Sequence, residues 1–178
     1  MRTLAPRPAI ALVALSAAAL LAGCAATLAQ PPPGQPLHPR TRSSGCVVRG
    51  ALPDPGCTPG SVRTTDLQVV CAPGSSRRAR DVPPALKRAV YRSYGIVRHR
   101  RGAYEIDHLV PLELGGANDA ANLWPEAAAP RPGFHEKDAL ENVLHDRVCG
   151  GHDSLAAAQA AIARDWVAAW KAAGRPAP

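Results

Sequence analysis

The sequence predicts an α+β fold, and three observations predict it. Two late segments carry apolar residues at helical spacing: Leu140, Val143, Leu144 and Val148, then Leu155, Ala158, Ile162, Trp166 and Trp170. Ahead of them, Tyr104 to Leu112 is apolar and β-capable but broken by Pro111, the pattern of a short hairpin or strand–loop. Val47 to Val70 is rich in Gly, Pro and Thr and reads as loops with short strands, notably Leu67–Val70.

The elements follow in order. Met1 to Gly23 reads as an export signal, with Arg2 and Arg7 ahead of an apolar run that reaches Leu21. The run is short for a membrane span and ends in small residues. Leu21-Ala22-Gly23-Cys24 resembles the cleavage box of bacterial lipoproteins. That makes Cys24 a lipid-modified N-terminus held at a membrane in the cell envelope. Ordinary cleavage near Thr27-Leu28-Ala29, giving a secreted protein, is the competing reading. Residues 24–44 carry five prolines between Pro31 and Pro39 and few apolar anchors, so burial does not offset their ordering entropy. They read as a tether reaching on the order of 60 Å, at about 3.1 Å per residue. Residues 45–174 are then one modest domain, and 175–178 a tail.

Inside the domain, Pro83-Pro84 opens a helix running to Tyr94, and Gly95 suits its C-terminal cap. Gly115-Gly116 and Asn118-Asp119 are turn residues. Pro130 and Pro132 stop anything earlier from continuing. A helix follows from His135 to Val148, ended by Gly150-Gly151. Ser154 or Asp153 caps a last helix to Ala173. Trp124 and Trp166 read as core.

With Cys24 assigned to lipid, Cys46, Cys57, Cys71 and Cys149 remain, an even number suited to an oxidising compartment. Four cysteines allow three pairings. Cys57–Cys71, a short loop, with Cys46–Cys149 is the favoured one. A zinc site is the weaker reading, because no C-x-x-C pair exists.

The formal net charge is +7, unevenly placed. Arg77, Arg78, Arg80, Lys87, Arg88, Arg92, Arg98, Arg100 and Arg101 are opposed only by Asp81. A block like this beside a catalytic candidate points to a polyanion, since neutralised phosphates supply most non-specific nucleic-acid affinity. The plainer reading is a solvated Arg-rich surface.

The block runs into Glu105-Ile-Asp-His-Leu-Val-Pro-Leu-Glu-Leu-Gly-Gly-Ala-Asn-Asp-Ala-Ala-Asn-Leu-Trp-Pro-Glu126. Cutting a phosphodiester takes a base for the water, a cation for the phosphate and leaving oxygen, and rigid placement of both. Neutral imidazole, as in His108, is the usual base near pH 7. Asp107 is a hard oxygen ligand suited to a divalent ion such as Mg²⁺. Neighbours on an ideal strand point to opposite faces, so both reach one ion only if the strand ends or bends there.

These residues resemble the HNH nucleases of the ββα-metal (His-Me finger) group. The shared pattern is Asp107-His108-x-x-Pro111, Gly115-Gly116-x-Asn118-Asp119, then Asn122-Leu123. An exported bacterial subset adds Lys137-Asp138-x-Leu140-Glu141-Asn142, Val148-Cys149-x-Gly151 and an earlier Cys57-Thr-Pro-Gly60, so the likeness covers about Gly56 to Trp170. It implies a small ββα-metal core with extra packing helices and a disulfide-stabilised N-terminal region. It implies a metal-dependent endonuclease with one divalent ion, Mg²⁺ ahead of Mn²⁺ or Zn²⁺, acting on nucleic acid, DNA ahead of RNA; the sequence leaves the oligomeric state open, with a monomer as the default.

Carried over residue by residue, His108 matches the general base and Asp107 the first metal ligand. Asn122 matches the amide that braces the loop and keeps the His108 ring oriented. The last metal ligand belongs near the start of the following helix. The spacing departs from the common pattern there, over Glu126–Gly133. His135 is the leading candidate and Asp138, one turn on, the next; Glu141 and His145 are further options. Lys137, or Arg98, Arg100 and Arg101 from the basic block, are candidates for the scissile phosphate. Glu105 and Glu113 read as solvated strand acids, with Glu105 a lesser candidate for the metal shell. The rival function is a catalytically inactive lipoprotein on this scaffold, binding envelope polyanions or a protein partner.

Overall fold

The structure is a computed structural model that describes residues 34–178. The expected export signal, Cys24 and the first part of the tether lie outside the described residues. The domain is α+β, as expected. Two small antiparallel sheets and five helices surround one core.

Residues 34–44 are not free tether. β1 (Gln35–Pro36) pairs antiparallel with β2 (Ser61–Val62). Thr41 and Arg42 then donate backbone hydrogen bonds to Gly56 O at 2.9 Å. The Arg42 guanidinium holds the Asp54 carboxylate at 2.8 Å. These bonds, with Leu37 packed against the core, dock a Pro-rich stretch, so the domain begins about ten residues earlier than the sequence suggests.

Leu67–Val70 is also different from expectation: it is a short helix, α1. Asp66 Oδ1 accepts from Gln68 N at 2.8 Å and caps it. An apolar run this short does not separate strand from helix, and the cap decides it. α2 (Ser75–Ala79) and α3 (Pro84–Ser93) follow, α3 opening with Pro84 at its first position.

The central unit is strand, loop, strand, helix. β3 (Tyr104–His108) pairs with β4 (Leu123–Ala127), setting Asp107 opposite Trp124 and His108 opposite Leu123. The loop between them contains a 3₁₀ turn at Leu112–Leu114. Two glycines fold it back. Gly115 has φ +78°, and a side chain there would meet Thr64 O at 2.6 Å. A side chain at Gly116 would meet Val110 O at 1.8 Å.

β4 leads into α4 (Phe134–Cys149), whose entry is fixed by Glu136 Oε2 accepting from Gly133 N at 2.8 Å. α5 (Leu155–Ala172) starts at Ser154, whose hydroxyl accepts from Ala157 N. The core joins Leu109, Val110 and Leu114 of the loop, Trp124, and Leu140, Leu144 and Val148 of α4 to Ile162 and Trp166 of α5. Both expected core tryptophans are buried.

The four cysteines among the described residues are all paired, but the pairing corrects the expectation. Cys46 joins Cys57, and Cys71 joins Cys149. The Asp54 carboxylate explains the first pair, because it accepts from both Val47 N and Gly56 N and pulls the two flanking segments together. The second follows from α1 ending at Cys71 against the last turn of α4, a contact that spacing along the chain does not encode.

Candidate active site

β3 stays in register through its last residue, so strand alternation holds and Asp107 and His108 leave on opposite faces. Their contacts differ accordingly.

The Asp107 face is covered by α4. Asp107 Oδ2 accepts from Lys137 Nζ at 2.6 Å. Nζ also donates to His108 O at 2.7 Å and to Glu141 Oε1, one helical turn along. Lys137 has no exposed surface. Glu126, opposite Glu105 in the hairpin, is buried beside this group with its carboxyl in hydrogen-bonding reach of Asp107. Burial alone would raise Asp107, but the Lys137 charge and the hydrogen bonds from Glu126 and Lys137 together outweigh it and hold the carboxyl below its usual range. Burial would likewise lower Lys137, but Asp107, Glu141 and Glu126 together push it well above its ordinary value. Burial, the Asp107 charge and the hydrogen bond to Asp107 push Glu126 well above its ordinary value, with Lys137 opposing. The group is thus a dry ion pair with extra carboxyls around it.

The His108 face is different. His108 Nε2 lies 2.9 Å from Asn118 Oδ1, and the Asn118 amide donates to Ala79 O at the end of α2 at 2.7 Å. With the amide so fixed, Oδ1 must accept, so Nε2 carries the proton in the neutral ring and Nδ1 keeps its lone pair. Among the described residues Nδ1 has no hydrogen-bond partner. Burial lowers the His108 pKa, and Arg80 and Lys137 reinforce it against the opposing effects of Asn118 and Asp107. The imidazole is therefore neutral at pH 7.

Asn122 is fully buried and braces the loop: Oδ1 accepts from Ser61 N and Val110 N, and Nδ2 donates to Val110 O and Ala117 O. It does not touch the His108 ring; Asn118 holds the ring instead. The chain signals Asn118 only as a turn residue, because its role depends on α2 arriving from elsewhere. Lys137 is likewise corrected: an ammonium that is sealed in the interior and bonded three ways does not contact phosphate.

The basic block reaches His108 through Arg80, whose charge acts on both His108 and Glu105. Arg100 and Arg101 lie at the other end of the hairpin, beside Ala103 and Ala128, and Arg98 is exposed in the segment before it. The four strand steps from Tyr104 to His108, roughly 14 Å at about 3.4 Å each, separate that end from His108.

The residues expected to bind a divalent ion do not fit one. Asp107 Oδ2 is taken by Lys137. His135 and Asp138 sit on the exposed side of α4, the His135 ring against Phe134 at 4.2 Å. Asp138 is raised by burial and by Asp107, as is Glu105, which burial, Asp107 and Asp138 push up to about 7. These acids repel one another across the rim without converging. Among the described residues, the one group of three such side chains with ligand atoms within 4.8 Å is Cys71, His145 and Cys149. Its two sulfurs are joined in a disulfide and do not ligate.

No family model, curated protein or solved structure matches the chain.

Proposed function

We propose that the chain is an exported phosphodiesterase of the HNH (ββα) kind, cutting nucleic acid, DNA ahead of RNA, with His108 as general base. The observation that carries the reading is the His108 ring: neutral, fixed through Nε2–H to Asn118, and left with an unpartnered Nδ1 at the end of the first strand of a strand–loop–strand–helix unit. In this mechanism Nδ1 takes a proton from the attacking water, and Arg80 neutralises charge on the phosphate. Asn122 keeps the loop rigid, and no step runs through a divalent ion. The two disulfides accord with an oxidising compartment, and the Cys24 box with a lipid anchor there.

A second reading has its own observation. His108 is only 2 % exposed, which suits a retained scaffold that binds polyanions or a protein partner without turnover. A plasmid-nicking assay on the oxidised protein, with and without EDTA, separates the two. Nicking that His108→Ala abolishes supports the phosphodiesterase; nicking undiminished in that variant rules His108 out as the base. No cutting of any DNA or RNA favours the binding module.

A further inference from the structure

We propose that the Lys137 ammonium is the resident cation between the hairpin and α4, so that the Asp107 centre neither needs nor binds a divalent metal. Three donors on Nζ meet three acceptors: Asp107 Oδ2, His108 O and Glu141 Oε1. An ammonium has only three donors, so it is saturated. Those acceptors are the hard oxygens that a Mg²⁺ or Mn²⁺ ion would require between the hairpin and the helix. The main chain that carries the ammonium is fixed as well, because Lys137 N donates to Gly133 O in the first turn of α4, beside the Glu136 cap. Swinging it out would strand Asp107 and Glu141 in the interior, and adding a divalent ion beside it would set like charges together at low dielectric. The arrangement keeps the fold's electrostatics while removing its dependence on metal supply.

The proposal extends to catalysis only if the phosphodiesterase reading holds, so its test is read first by binding and unfolding. The full oxidised chain is titrated with Mn²⁺ by calorimetry and unfolded thermally in EDTA and in excess Mn²⁺. The expected result is no stoichiometric binding and the same unfolding midpoint in both. Lys137→Ala opens the space between the carboxylates; it is expected to unfold earlier in EDTA and to gain one Mn²⁺ equivalent. Its midpoint should then recover by roughly 5–10 °C at a hundred-fold excess over Kd. Should that variant not fold, the wild-type titration decides alone. One equivalent of Mn²⁺ bound by the wild type, and lost in His135→Ala/Asp138→Ala, overturns the proposal. Nicking that survives EDTA agrees with it, and nicking that EDTA abolishes overturns it. Absence of nicking in every condition defeats the phosphodiesterase reading and leaves the Mn²⁺ titration to decide on Lys137.

Discussion

The two faces of β3 differ in what they satisfy. On the Asp107 face, Lys137, Glu141 and the His108 carbonyl complete one another, and the ammonium retains no donor for anything outside. On the His108 face, one ring nitrogen is held and the other is left without a partner. One peptide bond separates a group built for cohesion from one poised for chemistry. The lesson is that adjacency along a strand is opposition in space. An Asp-His pair is a single site only where the strand fails, and β3 remains paired through His108.

The sharpest way to break this contrast is Lys137→Met, which keeps bulk and removes charge. Asp107 would remain buried without its cation, beside a Glu141 carboxyl that burial already pushes up to about 8. The expected loss is about 5 kcal/mol, the top of the range for a stranded buried charge, read as a fall in the urea midpoint. A loss below about 1 kcal/mol would mean that water or an ion already serves Asp107, and the cohesive role of this face would fall.

The opposite face answers to Asn118→Ala. Its expected stability cost is about 1 kcal/mol, one neutral hydrogen bond, since the loop itself hangs on Asn122. The expected signature is chemical: the Asn118 bond raises the His108 pKa, so its removal should lower it further, measured by NMR titration of the ring. Activity should fall more than stability, because the ring loses its tautomer and orientation. An unchanged His108 titration would show that something else fixes the ring.

The sequence made one of these faces far more legible than the other. Helical spacing marked α3, α4 and α5 because an amphipathic stripe is local, and Pro111, Gly115 and Gly116 marked the loop because only certain residues fit its backbone. Asn122 was legible as a brace only through the family resemblance. Lys137 was not, because a lysine in a first helical turn is ordinarily solvated, and only tertiary placement of Asp107 and Glu141 makes burial tolerable. Asn118 and Arg80 escaped notice as partners of His108 because α2 must first dock beside the loop. The cysteine pairing failed similarly: spacing favours a short loop, while Cys71–Cys149 closes across 78 residues.

The smallest expected effect lies at the rim, where Glu105 shares the Asp107 face but meets solvent. Burial, then Asp107 and Asp138, push its pKa from 4.5 up to about 7. The folded state therefore binds this proton more tightly than the unfolded chain does. The stability it contributes is fully present below about pH 4.5 and is lost as pH rises through 7. Glu105→Gln keeps the shape without the charge, so its unfolding free energy should lack that decline. The variant should match the wild type near pH 5 and exceed it near pH 8, by no more than about 1 kcal/mol because solvent screens a half-exposed carboxyl. Urea midpoints at the two pH values measure it. A variant less stable than the wild type at pH 8 would mean that the Glu105 carboxylate is held by a cation, with Arg80 the nearest candidate, and the rim would then belong with the saturated interior rather than with the repelling acids.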